Sequence, residues 1–381
     1  MTLLLLLTAC GDKGDSGAAG LWPSETADAV ATYAEIVEAS YADSLAAAQA
    51  LGAALDGLVA APSTATLDAA RQAWLDSREP YLQTEVYRFY DGPIDDPEDG
   101  PEGLLNAWPL DENYIDYTVD APDAGIINGT DAIDTATLEG LNEAGGESNI
   151  ATGYHAIEFL LWGQDLSETG PGERPHTDYI SDGSGTAANQ DRRGQYLTVA
   201  GELLVSHLDA VHAQWTPSAS YRTDFVADEE SAFGSILTGM IVLSGFETGG
   251  ERLQASLDSG DQEDEHSCFS DNTHRDMVQD VQGISNVWTG QYVRTDGSTV
   301  SGVSIKSIVA SVDADLAAQL DAQIAESLSL ANAIQAPYDQ EIAPGAAGNA
   351  RVEALIISLR AQEDLLFQVF DAFGLSVAIP E

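Results

Sequence analysis

Lysine is almost absent from this chain. Of 381 residues only Lys13 and Lys306 are lysines, and Lys and Arg together number 14 against 63 Asp and Glu, a formal net charge of -49 at pH 7. Such a field repels phosphate backbones and anionic lipid surfaces and concentrates cations, which sets nucleic-acid binding aside. Cysteine is as scarce, with Cys10 and Cys268 alone. No Cys-x-x-Cys-His string occurs, so covalent haem attachment is excluded. Long apolar runs are missing beyond the first residues. The best later candidate, Ser235 to Phe246, has about 12 residues against the roughly 20 a helix needs to cross a bilayer, and reads as a buried helix.

What the chain does have is material for a core: 44% of it is hydrophobic and six residues are tryptophan. Disorder is therefore excluded for the body of the protein. The opening leucine run meets Leu7-Thr8-Ala9-Cys10, the pattern that precedes lipidation of a cysteine in bacterial lipoproteins. No basic residue precedes the run, which points to a start further upstream. Mature protein is expected to begin at a lipidated Cys10, with the small polar residues to Gly20 as a flexible tether, on a bacterial membrane facing the periplasm or exterior. Cys268 is then left without an intramolecular disulfide partner.

Helical periodicity governs the rest. From Ser24 a long alanine-rich helix runs to about Ala60, where Ala61-Pro62 breaks it. A second helix is expected from Ser63 to Phe89, kinked or restarted near Pro80. Leu197, Leu204, Leu208, Val211 and Trp215 make one stripe. Ile305, Ile308, Val312, Leu316, Leu320, Ile324 and Leu328 make another, closed by Pro337, and a last helix spans Asn349 to Phe373 before Gly374. No run of strand-like alternation is found. The expected fold is all-α: two packed helical bundles related by internal duplication, with halves at 21-217 and 225-381 and a long irregular connection from Asp91 to Thr152.

The most informative stretch is Gly153-Tyr154-His155-Ala156-Ile157-Glu158, set among apolar residues. On a helix His155 and Glu158 project from one face, where they can share a metal ion or bond each other and lock two bundles together. Gly153-x-His155-x-x-Glu158 is the motif of the imelysin family, which the chain resembles. Tyr87 to Pro93, Asn106 to Glu112 and Tyr114 to Tyr117 look like further imelysin blocks, and Glu263 to His274 is similar to the iron-regulated protein A branch. The resemblance implies a two-bundle fold, lipoprotein or periplasmic export, expression linked to iron supply and a site at the bundle junction.

Residues able to complete that site are Arg78, Tyr81, Glu85 and Arg88 on one polar stripe, Ser244, Glu247 and Glu251 on another, Asp111 in the long connection, and His266 and Cys268 in the acidic segment. The simpler reading of the same segment is an acidic loop before a helix N-cap at Ser270 or Asp271. Carboxylates with one imidazole suit iron, with zinc the alternative. The function expected is an envelope lipoprotein that binds a metal ion in iron acquisition through His155 and Glu158, working with other envelope iron-uptake components. Two alternatives stand beside it: binding of a small iron chelate or peptide, and a zinc metallopeptidase with Glu158 as the catalytic group. A peptidase needs a third ligand from His207, His212, His266 or His274, and neither His-Glu-x-x-His nor His-x-x-Glu-His occurs.

Overall fold

The structure is a computed structural model that describes residues 22–167 and 169–375. The Leu7 to Cys10 pattern and the tether lie outside the described residues. The fold is all-α. Helix α1, Thr26–Ala60, buries Val30, Tyr33, Val37, Tyr41, Leu51, Leu55 and Leu58 along one side and stops before Pro62. Helix α2, Thr64–Leu82, starts from a capping box in which the Ser63 hydroxyl accepts from Thr66 N and Thr66 Oγ1 accepts from Ser63 N. The break expected near Pro80 falls later: α2 runs through the proline, ends at Leu82, and a 3-10 turn at Glu85–Tyr87 follows. A proline this close to the end costs the helix one hydrogen bond just before it would stop anyway.

Helix α3 spans Gly153–Trp162, and α4, Gln190–Trp215, buries its whole predicted stripe from Leu197 to Trp215. Helix α5, Glu229–Ile241, runs on through a π-helical stretch, Val242–Gln254, into Ala255–Ser259. This helix of 31 residues is long and apolar enough to cross a membrane by composition, but 72% of its apolar window is buried inside the protein. Helix α6 is Thr273–Thr289.

Two sequence expectations are corrected here. A hairpin of β1, Gln291–Val293, and β2, Thr299–Ser301, follows α6. Three-residue strands are too short to show a period. The stripe from Ile305 to Leu328 is also not one helix but two, α7 (Ile305–Val312) and α8 (Ala314–Ala331). Asp313 divides them, its carboxylate accepting from Asp315 N and Leu316 N as the cap of α8. The last helix, α9, is Asn349–Ala372, closed by Gly374 at φ 68°.

Helix α1 packs on α2 and α4, while α9 packs on α8 and on the π-helical stretch. Helix α6 touches α2 of the first group and α8 of the second. The connection from Asp91 to Thr152 is mostly irregular, with short helices at Glu102–Leu105, Glu112–Ile115 and Thr135–Leu141. It brings Asn106 and Trp108 onto the meeting place of α2, α3 and α6.

Candidate functional site

Every residue of α3 is buried. A helix without a solvent face needs its terminal backbone groups satisfied by neighbours. Arg71 donates to Leu161 O at 3.1 and 2.9 Å, the Tyr179 hydroxyl to Leu160 O at 2.6 Å, and Arg174 N to Trp162 O at 2.7 Å. At the other end Gly153 has φ 83°, and a Cβ there would stand 2.5 Å from Leu105 O. Glycine opens the motif because both the backbone angle and the close approach of Leu105 demand it. The start of α3, and so the placement of His155 and Glu158, is fixed by that contact.

His155 and Glu158 bind each other: Nδ1 lies 2.9 Å from Oε2, with both side chains fully buried. Ser270, just before α6, donates to Glu158 Oε1 from its backbone N at 3.0 Å and from its hydroxyl at 2.6 Å. Both carboxyl oxygens are therefore engaged. The remaining imidazole nitrogen, His155 Nε2, is buried without a hydrogen-bond partner. A carboxylate on one nitrogen and a free second nitrogen is the arrangement that orients a histidine for a metal.

A second imidazole–carboxylate dyad stands beside the first. The His266 ring lies 4.9 Å from that of His155, and its Nδ1 is 2.7 Å from Asp276 Oδ2 on α6. The Ser267 hydroxyl donates to the same Asp276 oxygen at 2.5 Å, and Arg78 on α2 pairs with it at 3.5 Å. Arg78 also donates to Asn106 Oδ1 at 2.5 Å and lies 4.9 Å from the Tyr154 ring. Trp108, half-buried, packs 5.0 Å from His155. Further along, Arg252 joins Glu85 at 2.5 Å, Asp280 at 3.0 Å and Glu247 at 3.0 Å, while Arg88 pairs with Glu85 at 2.7 Å and Glu102 at 3.0 Å.

Burial pushes the Glu158 carboxyl up to about 8 despite the Ser270 hydrogen bonds and Arg78. Burial, then Arg78 and His266, hold His155 well below the usual imidazole range, and His266 is lowered to about 4 by burial and Arg252. Burial opposes ionisation of Asp276 as well, but Arg78 and the His266 and Ser267 contacts overcome it and keep the carboxylate charged. The first dyad is thus neutral near pH 7 with one proton to lose. With Glu158 protonated, its O–H donates to Nδ1 and Nε2 carries hydrogen. Loss of one proton leaves Glu158 ionised, Nδ1 protonated and Nε2 with an open lone pair.

Of the other residues singled out from sequence, Glu85, Arg88 and Glu247 meet around Arg252. Cys268 is buried, its thiol pushed up by burial and then by Glu158, so it is no thiolate. Asp111 is exposed and caps Glu112–Ile115 by accepting from Asn113 N at 3.0 Å. Glu251 is exposed on the π-helical stretch. His207 bonds Glu139 and His212 bonds Glu38, both away from the dyads, and His274 Nδ1 lies 3.1 Å from Asp271 O. The residue that precedes α6 is Asn272, which makes no side-chain cap hydrogen bond, rather than Ser270 or Asp271; Asp271 is in the left-handed region at φ 56° and the Ser270 hydroxyl is given to Glu158. The contacts of Asp276 with Arg78 and of Ser270 with Glu158 carried no local signal, their partners lying 198 and 112 residues away along the chain.

Among the described residues no group of three or more His, Cys, Asp and Glu is placed to hold a metal ion. A zinc centre with three protein ligands therefore does not fit this donor set as it stands. Two surface cavities, of about 520 Å³ beside Leu104 and His207 and about 320 Å³ beside Trp162 and Arg174, do not reach His155.

The family model described as Imelysin matches residues 37–366. Iron-regulated protein A of Synechococcus elongatus is 27% identical over 309 residues, 81% of this chain and 76% of that protein. The crystal structure of a chain described as an iron-regulated protein A precursor from Parabacteroides distasonis matches with a TM-score of 0.71 at 20% identity, covering 93% of this chain and 97% of that one. That likeness is one of fold.

Proposed function

The chain belongs to the imelysin family, and from that membership and the buried dyads we propose that it is an iron-linked protein of the bacterial envelope which takes iron as cargo at His155. The observation that carries this reading is His155 Nε2: buried, unpartnered, and aimed by a carboxylate that is itself held by Ser270. Glu158 orients the imidazole and supplies the compensating charge when a cation arrives. Lipid anchoring through Cys10 would keep the protein at the membrane, beside other components of iron uptake. The relative's name, iron-regulated protein A, supports the link to iron.

One imidazole is a short ligand set, and the Arg78 guanidinium stands beside it. Both facts favour iron that arrives with part of its shell supplied by a small anionic chelator, which Arg78 and Asn106 can receive. Because His155 is fully buried, entry requires the surrounding segments to part.

The test is metal analysis of the purified chain after equilibration with ferric citrate, wild type against His155→Ala and Glu158→Gln. Wild type is expected to retain about one iron per chain and His155→Ala none. Equal iron in both sinks the reading. Hydrolysis of an unfolded protein substrate, sensitive to chelator and lost in Glu158→Gln, would put a peptidase in its place.

A further inference from the structure

Away from the dyads, carboxylates from separate segments lie near enough to repel one another. Asp165 lies in the loop after α3, while Glu265 and Asp271 lie in the segment before α6. Asp339 opens the short helix Asp339–Ile342. Glu265 is fully buried, and neither of its oxygens meets hydrogen-bond geometry, although the Thr273 side chain stands near enough to favour its ionised form. Its strongest charged neighbours are Asp271, Asp339 and Asp165, in that order. Asp165 Oδ2 and Asp271 Oδ2 are likewise buried without partners. Among the described residues none of these three side chains has an arginine, lysine or histidine ion-pair partner, although the protein's arginines are paired readily elsewhere. Leaving a buried carboxylate such as Glu265 with both oxygens unmatched is costly, and the two unmatched oxygens of Asp165 and Asp271 add to that cost.

The segments are tied to one another rather than adrift: Gln262 donates to Asp165 O at 2.7 Å, and Asp271 is held at φ 56°. Asp165 also lines the cavity of about 320 Å³ that opens to solvent, which gives a small ion a route in. The oxygens do not yet converge on one point, so binding would close the shell by side-chain rotation.

We propose that Asp165, Glu265 and Asp271, with Asp339 beside them, form a binding site for a hard divalent cation, calcium in the first place. An all-oxygen set without imidazole or thiolate selects hard ions. Calcium tolerates the irregular geometry of four separate side chains, whereas magnesium demands a near-octahedral shell. The electrostatics agree: burial and mutual repulsion push Asp165 up to about 6 and Asp271 up to about 7, the burden that a bound cation relieves. The site is independent of the iron reading and uses none of its residues.

Calorimetric titration of the full chain with calcium chloride, after removal of divalent ions, tests it, with thermal melting in calcium and in chelator alongside. One site tighter than about 1 mM is expected for an extracellular protein, with a melting temperature raised by calcium. Glu265→Gln should weaken that site at least tenfold and abolish the thermal response, while melting at or above wild type in chelator because repulsion is relieved. His155→Ala should bind calcium as wild type does. Asp165→Asn reads the same result should Glu265→Gln fold poorly. Wild type and both variants responding alike would mean diffuse binding to the acidic surface and would overturn the site, as would no response from wild type.

Discussion

At the level of single residues, Glu158 holds two partners that cannot find replacements. Removing its carboxyl strands His155 Nδ1 and the Ser270 N–H and hydroxyl in a region without solvent. Each buried group left unmatched costs about 1–3 kcal/mol, so Glu158→Ala should lose roughly 3 kcal/mol or more of unfolding free energy. Glu158→Gln keeps the shape, still accepts from Ser270 through its carbonyl, and can donate to an imidazole nitrogen. Its loss should stay near about 1 kcal/mol. Urea unfolding of the two variants measures the difference, and equal losses would mean that the ionisable carboxyl itself, rather than the hydrogen bonds an amide can keep, is what Glu158 supplies. The contact itself was legible in the spacing of the motif, since residues three apart share a helix face. The second dyad was not, because ten residues and a turn separate His266 from Asp276, a spacing with no fixed geometry, and Asp276 reaches Arg78 only through the packing of α6 on α2. Asp111 shows the opposite failure: an acidic residue in a long connection invites a functional reading, and it caps a four-residue helix.

At the level of elements, the position of α3 depends on Gly153. With φ at 83° and Leu105 O 2.5 Å from any added Cβ, alanine at this position must displace backbone rather than a flexible side chain. Gly153→Ala is expected to cost more than about 3 kcal/mol and to lower the yield of folded protein. Gly140 is the control, lying inside the helix Thr135–Leu141 with nothing within 4 Å of an added methyl. Gly140→Ala should stabilise by about 0.5–1 kcal/mol through helix propensity alone. A thermal melt of both variants checks the pair; similar melting temperatures would mean that Leu105 can retreat. Asp313→Ala should cost about 1 kcal/mol by uncapping α8, read by urea unfolding against wild type. The long helices were legible because their stripes persist over many turns, as in α4. The division between α7 and α8 was hidden because the apolar period carries across Asp313 while Val312 turns 40% exposed.

For the whole molecule, the sign of the pH response follows from which groups are shifted and in which direction. Glu158 is raised to about 8, Glu263 to about 7 and Asp271 to about 7, burial being the first cause in each. Carboxyls with a raised folded pKa contribute stability that is complete below their unfolded values near 4 and is lost as pH rises through the folded values. The lowered histidines act oppositely: His266, at about 4 in the folded state, costs stability as pH falls from about 6.5 through 4. Above about pH 7.5 the unfolded imidazoles are largely neutral and the unfolded carboxylates fully ionised, so the raised carboxyls, Glu158 foremost, act almost alone. The melting temperature in chelator should therefore fall from pH 7.5 to 8.5. A net charge of -49 adds a separate repulsion among exposed groups, and that repulsion is screened by salt. Melting at 0.05 and 0.5 M sodium chloride separates the two. Salt should raise the melting temperature at every pH, while the decline from pH 7.5 to 8.5 survives at high salt because it arises from desolvation of buried carboxyls. A decline that vanishes at 0.5 M would place its origin on the surface and leave the buried acids without a measurable part in stability.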